Sequence, residues 1–575
     1  MTSRIRSFLA ELKRRKVYRV AVVYAVVAFV IWGAAEQLVP GLALPDWAFR
    51  LIVLLTILGF PIALVLAWAL ELTPEGIRVT PPAEPPEAAA DDDERTGAPT
   101  AEPGKPTPVR SSTDDRPCVV VLPFANLSGD PENEFFSDGV TEDIMARLAG
   151  IRGLRVISRT TAMTYKGSQR NLPQIAAELG AQAVVEGTVR RSADRVRVTA
   201  QLIAADRDEH LWAETYDRVL EDVFAVQSDV AENIAKALHT ELTPGERERL
   251  QRKPTENLEA YDLCLKATRI GESVDPEALR QAERYFRGAI ALDPGYARAY
   301  AGMSMMLGYN GFVGNVDPAE LFPQVKAAAQ EAVRLDTGLG DAHTALAYVA
   351  FWYEWDWTKA ERELETALEL NPDDAWALAY RGWTLFFRER FTEAEAPLRE
   401  AVRLDPRSPL KRVFLAQLYA CTGRPEEGVA ILDDMLRSDP HVLVALYWRA
   451  LCHMYSGNLA AAAADLDAAI ATFGRVIVPV GLRGVVHAFA GETEQVRQIQ
   501  EELRTRATEE YVDPYFPFVI CVANDGFDAA FPHLERIVEA RSLFVGFLRV
   551  VPRFRGLRSE PRFMNVLRTI WPDDF

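Results

Sequence analysis

WTKAERELETALELNPDDAWALAYRGWTLFFRERFTEAEAPLREAVRLDP, residues 357–406, holds three helix-length segments, two of which end in an amide or acid followed by proline. Proline cannot continue a helix, and Asn or Asp before it marks the stop. The same punctuation recurs at Asp293-Pro294 and Asp439-Pro440, with a degenerate copy at Asp336-Thr337. From Pro294 onward the marks fall 43, 35, 34 and 34 residues apart. Twelve and five residues before the prolines stand Ala282 and Ala289, Ala360 and Ala367, and Ala394 and Ala401. Small residues there let paired helices approach, while Phe286, Leu364 and Leu398 fill the groove between them and Gly382 takes the small slot of its own helix. The copy ending at Pro440 is weaker, with Gly428 and Met435 in the alanine slots, although Tyr419 fits.

A 34-residue period with helix–turn–helix patterning resembles the tetratricopeptide (TPR) repeat. It predicts an all-α superhelix over residues 255–575, with five clear repeats, one or two degraded ones and a terminal cap. In that register the first helix of each repeat lines a concave surface. Trp376, Trp383, Gln417 and Tyr447 fall at such positions and are the candidate contacts for a protein or peptide partner, large aromatics being common binding anchors. A stripe at helical spacing also suits packing. The aromatic run Trp352-Tyr353-Glu354-Trp355-Asp356-Trp357 sits at a turn within a repeat; its aromatics could grip a peptide, but filling between helices is the expected role. The 43-residue gap implies nine extra residues, expected as a loop within 307–321. The tail FRGLRSEPRFMNVLRTI (554–570) is expected to cover the apolar face of the last repeat.

Residues 118–245 read as a small α/β domain. VVVLPF (119–124) is a buried strand, and 135–148 a helix with Phe136, Val140, Ile144 and Leu148 on one face. LRVIS (154–158) is a short strand, and 171–179 a helix with Asn171 as N-cap and Gly180 as stop. Segments 183–191 and 195–203 alternate as a hairpin, followed by a strand at 210–216 and a helix at 223–238. Ser137-Asp138-Gly139 reads as a helix N-terminus with an acidic cap, or as a turn offering N–H groups to an anion. Arg190, Arg191, Arg195 and Arg197 make a basic hairpin, a solvated face that could also meet lipid headgroups. Three phrases, FSDG, VVEGTVRR and HLWAETYDR, resemble the TolB-like amino-terminal domain of bacterial proteins. Relatives of that kind are fused to class III nucleotide cyclase domains, winged-helix regulators or helical repeats; the resemblance implies no catalytic residues.

Residues 1–72 read as a membrane anchor. The charge-free runs 20–35 and 51–70 approach the ~20 residues that cross hydrocarbon as helix. Seven Lys and Arg precede the first run, against Arg50 alone between them, so the positive-inside rule puts both ends of this two-span hairpin in the cytoplasm. The lipid-contacting residues are 17–71, and the expected location is a bacterial inner membrane. Residues 73–117 hold ten prolines and the acidic run 91–94, the composition of a disordered tether.

The 575 residues carry 64 Lys and Arg against 82 Asp and Glu, a net charge of −18, which argues against nucleic acid as the partner. The five cysteines include no CxxC, so a disulfide framework is not expected. No phosphate-binding loop, dinucleotide fingerprint, HExxH or nucleophile elbow appears. No residue is assigned to catalysis, a cofactor or a metal, and the expected function is a non-enzymatic scaffold. The alternatives are a sensory or regulatory protein whose TolB-like domain binds a small ligand or nucleotide, related to cyclic-nucleotide signalling, and a cryptic enzyme.

Overall fold

In the computed structural model the described residues are 70–73, 76–79 and 116–575, apart from 129, 131–132, 169, 193, 272–275, 314–315 and 575. The expected membrane spans therefore lie outside the described residues, save Leu70. Among the described residues no helix is long and apolar enough to cross a membrane. Strands β1 (Leu70–Thr73) and β2 (Gly76–Val79) pair antiparallel, with Leu70 opposite Val79. They correct the expected start of the disordered tether at residue 73, since Leu, Ile and Val flank a Pro-Glu-Gly turn signal there.

Residues 112–575 form one compact unit. It opens with a mixed sheet of β3 (Cys118–Val121), β4 (Ala125–Asn126), β5 (Arg155–Val156), β6 (Ala183–Ser192), β7 (Arg195–Ala204) and β8 (Glu209–Val219). The order is β5-β3-β6-β7-β8, with β4 also on β6. β3, β4, β5 and β6 run parallel, and β6-β7-β8 is an antiparallel meander. β3 is buried at every position. The strand expected to reach Phe124 breaks at Pro123, which has no N–H to give the ladder, and pairing resumes at Ala125. Helices α1 (Glu134–Ala149), α2 (Arg159–Met163), α3 (Leu172–Leu179), α4 (Val223–Ala237) and α5 (Pro244–Gln251) complete this part. Asn171 caps α3 by accepting the Gln174 N–H at 3.0 Å, and Gly180 ends it at φ +65°.

Among the described residues eight helical hairpins follow: α6 (Leu258–Gly271) with α7 (Pro276–Leu292), α8 (Ala297–Val313) with α9 (Pro318–Leu335), α10 (Gly340–Val349) with α11 (Trp357–Leu370), and α12 (Ala375–Phe387) with α13 (Phe391–Leu404). Next come α14 (Pro409–Cys421) with α15 (Pro425–Ser438), α16 (Leu443–Tyr455) with α17 (Leu459–Phe473), α18 (Ile477–Ala490) with α19 (Thr493–Arg506), and α20 (Tyr515–Asn524) with α21 (Phe527–Glu539). The six slot alanines are fully buried. The acid or amide at four of the five marked helix ends has a local task, Asp405 being the exception. Asp293, Asp336, Asn371 and Asp439 each accept, through the side chain, the backbone N–H two residues on. This turn closes the helix and fixes the exit path. The expected loop within 307–321 is corrected: α8 and α9 are each four residues longer than α12 and α13. An insertion of about one turn per helix keeps the backbone hydrogen-bonded where a loop would not.

The tail, with α22 (Phe547–Val550) and α23 (Pro561–Ile570), covers the last hairpin as expected, Phe554 meeting Phe518 and Phe563 meeting Phe527. It then travels much further back. Trp571 stacks on Trp357 at 5.3 Å, the Trp357 Nε1–H donates to the Ile570 carbonyl at 2.9 Å, and Arg388 pairs with Asp574 at 2.5 Å. The end of the chain thus joins the third and fourth hairpins to the eighth.

Candidate partner-binding surface

α1 lies between sheet and repeats. Phe136, Val140, Ile144 and Leu148 are buried on one side, and Asp138, Glu142 and Asp143 occupy the other. Ser137-Asp138-Gly139 is therefore corrected on both expectations: it lies inside α1, buried, with neither a cap nor an open anion site. Gly139 is needed because a Cβ there would overlap the Leu265 side chain of α6. Asp138 pairs with Lys166 at 2.5 Å and with Arg269 of α6. Arg298 of α8 bridges Glu142, at 2.5 Å, and Asp143. Asp143 also accepts the Tyr261 hydroxyl and the Gln227 amide, the latter at 3.1 Å. Burial alone would weaken the Arg298 charge, but the two carboxylates hold its pKa well above the usual value. This polar cluster is not legible in the sequence, because the residues it joins stand far apart along the chain, Asp143 and Arg298 being 155 positions from each other.

The α/β part also runs along the inter-repeat turns. Arg252 meets Asp336 at 2.6 Å, Arg116 meets Asp373 at 2.9 Å, and the Thr161 hydroxyl donates to Asp405 at 3.3 Å. The edge of the superhelix that carries these turns is therefore occupied within the chain. The four arginines of the basic hairpin meet two carboxylates: Arg191 pairs with Asp262, Arg195 and Arg197 share Asp217, and Arg190 donates to the Leu127 carbonyl.

The four candidate contacts lie on α12, α14 and α16. Trp383 is 3% exposed, stacks on Phe414 at 3.6 Å and donates its Nε1–H to Gln417 Oε1 at 2.8 Å. Gln417 is 1% exposed and Tyr447 6%. In this conformation a partner does not reach these three side chains. Trp376 is half-buried, with the Lys411 ammonium 3.7 Å from its ring centre. Lys411 is itself buried and pairs with Asp405 at 3.0 Å; burial lowers its pKa, and the Asp405 charge opposes that. The aromatic run is core, as expected: Trp352, Trp355 and Trp357 are all buried. Phe547 of the tail adds to the same interior, in ring contact with Phe387 and Trp448.

An opening lies elsewhere, between α17, α18 and α19. A groove of about 400 Å³ has Ile470, Ala471, Val480 and Ile499 among its lining, with Arg483 and Gln498 at the rim. Arg483 meets Asp467 at 2.8 Å, and Arg475 pairs with Glu502. An apolar floor between paired charges is suited to an amphipathic segment. No group of acids, His or Cys among the described residues could hold a metal ion.

A tetratricopeptide repeat family matches residues 349–409 and 415–474. The C-terminal region is a TPR superhelix, and such a fold points to an interaction protein. A curated relative from Rhizobium meliloti (strain 1021), named "Putative adenylate cyclase 3", is 39% identical over 239 residues, 41% of this chain. The chain spans 40% of that relative's length. A solved tetratricopeptide repeat protein from Parabacteroides merdae ATCC 43184 shares 18% identity at a TM-score of 0.33, covering 46% of this chain and 99% of its own. YrrB, described as a TPR protein with an unusual peptide-binding site, shares 20% at a TM-score of 0.24, covering 34% of this chain and 97% of its own.

Proposed function

We propose that this chain is a non-enzymatic scaffold that presents its TPR array to protein partners at the cytoplasmic face of a bacterial inner membrane. The observation that carries the reading is the amphipathic groove between α17, α18 and α19, open in an array whose interior and turn edge are filled by the chain itself. An amphipathic helix or extended segment fits such a surface. The TolB-like part serves as a brace that holds the first four repeats, and the N-terminal hairpin, through the tether, keeps the array near the bilayer and raises the effective concentration of its partners there. A photo-crosslinking residue in place of Gln498, at the groove, is expected to capture another protein in cells, whereas one in place of Glu365, exposed on α11, is not. Equal capture at both positions, or none at Gln498, overturns the groove as the binding site. Protection of the array from protease in intact spheroplasts tests the location.

The cyclase likeness favours a second reading, a regulatory role in cyclic-nucleotide signalling. It is separated by incubating the purified chain with ATP and Mg²⁺ or Mn²⁺. The scaffold reading expects no cyclic product; turnover that survives further purification replaces it with an enzyme.

A further inference from the structure

β8 is the outer strand of the sheet and pairs with β7 alone. Eight of its eleven residues are exposed, and Val219 is 41% exposed. The Leu220 N–H donates to the Asp194 carbonyl at 2.7 Å, so the antiparallel alternation turns the backbone groups of Glu214, Tyr216 and Arg218 toward β7. Those of Ala213, Thr215, Asp217 and Val219 point outward, with no strand beyond them among the described residues. Proteins blunt such an edge with proline, lysine or a bulge. Here the bulge, between Leu202 and Ile203, lies opposite the start of β8. The stretch 213–219, AETYDRV, has no proline, and its charges are of both signs, Glu214 and Asp217 against Arg218, so they oppose random pairing but allow a pairing that matches them.

The free stretch is self-complementary. An antiparallel pairing of two copies about a two-fold axis keeps like faces together only when the axis passes through a residue. An axis at Glu214 sets two carboxylates opposite each other, which is unfavourable. An axis at Thr215 sets Arg218 against half-buried Trp212. An axis at Tyr216 sets Glu214 against Arg218 of the second copy, twice by symmetry, and Val219 against Ala213. It also brings the outward backbone groups of Thr215 opposite those of Asp217. Arg218 has no carboxylate partner among the described residues, its hydrogen bond going to the Asp217 carbonyl at 3.4 Å. Asp217 is already neutralised by Arg195 and Arg197.

We propose that the chain forms a two-fold homodimer by antiparallel addition of β8 to β8 of a second copy, with Tyr216 on the axis. This goes beyond the scaffold reading: the dimer carries two arrays and binds bivalently. The test is the molar mass of the full chain in detergent, corrected for the micelle. Wild type is expected at two copies. Thr215→Pro is expected at one copy with the fold retained by circular dichroism, because the N–H it removes points away from β7 and edge strands tolerate proline there; only the hydroxyl contact to Thr199 at 3.2 Å is lost within the copy. Arg218→Glu is also expected at one copy, and Glu214→Arg/Arg218→Glu at two again. One copy for wild type overturns the proposal, leaving the edge free for some other strand. Two copies for Thr215→Pro, or one copy for the charge-swapped double variant, overturns it as well.

Discussion

Gly139 and Asp143, one turn apart on α1, show how much of the docking between sheet and repeats rests on single residues. Gly139 lets Leu265 cross α1 in close contact. Gly139→Val is expected to cost about 1–3 kcal/mol, the range for overpacking a filled site. Asp143→Ala leaves Arg298 with one carboxylate instead of two, and breaking a buried pair costs roughly 3–5 kcal/mol. Urea midpoints check both. Titration adds a third expectation. Both ring nitrogens of His343 face acceptors, Glu363 at 2.8 Å and the Thr337 carbonyl at 3.1 Å, so the hydrogen bond to Glu363 raises its pKa. Burial holds the Asp513 carboxyl up at about 6. The folded chain thus binds a proton at each site more tightly than the unfolded chain does. Their stability is present in acid and is lost as pH rises, through about 4 to 6 for Asp513 and through the raised pKa of His343. Burial lowers the pKa of His533, which opposes this on acidification, so the checkable quantity is the difference from His343→Asn: from pH 8 toward 5.5 the unfolding midpoint of wild type is expected to gain relative to that variant. Glu395, held down at about 2 chiefly by its hydrogen bond with Arg424, does not titrate in that window.

Elements are legible wherever local chemistry decides them. Asn171 and Gly180 bound α3 where expected, and the alanines and Asp-Pro turns set the register of the array. The break at Pro123 and the brief α2 escape such a reading, because each turns on a few residues. The lengthened α8 and α9 look like a loop in the sequence, since Gly308 and Gly311 resemble breakers; in the structure they admit Tyr348 and Leu321 against the helix. The tail is half legible. Its apolar spacing announces a cap, but nothing local tells Trp571 to pair with Trp357, 214 positions earlier. Trp571 is fully buried. Trp571→Ala is therefore expected to cost about 3–5 kcal/mol, the value for a core aromatic rather than a chain end. Hydrogen exchange should show the loss in α11 and α12 as well as in the tail; a change confined to 561–575 contradicts the clamp.

At the scale of the molecule, the sequence divides into an α/β part and a repeat array, and that division is real in the pattern of residues. The forces crossing it are invisible there, because Arg252, Arg116 and Arg298 find their acids across long separations. Repeat arrays held by nearest-neighbour contacts alone unfold piecemeal, each repeat answering mainly to its neighbours. Here the α/β part touches the turns near Asp336, Asp373 and Asp405, and the tail ties the third and fourth hairpins to the eighth. Both contacts are long-range and couple units that would otherwise melt independently. Residues 116–575 are therefore expected to unfold in one transition, with the slowest amides of β6 and of α12 exchanging at the same free energy. Arg116→Ala/Arg298→Ala weakens the brace while leaving both cores packed, and is expected to split that transition in two. If wild type already shows two transitions, the ion pairs along the turns are surface contacts of little worth, and the α/β part rides on the array without holding it.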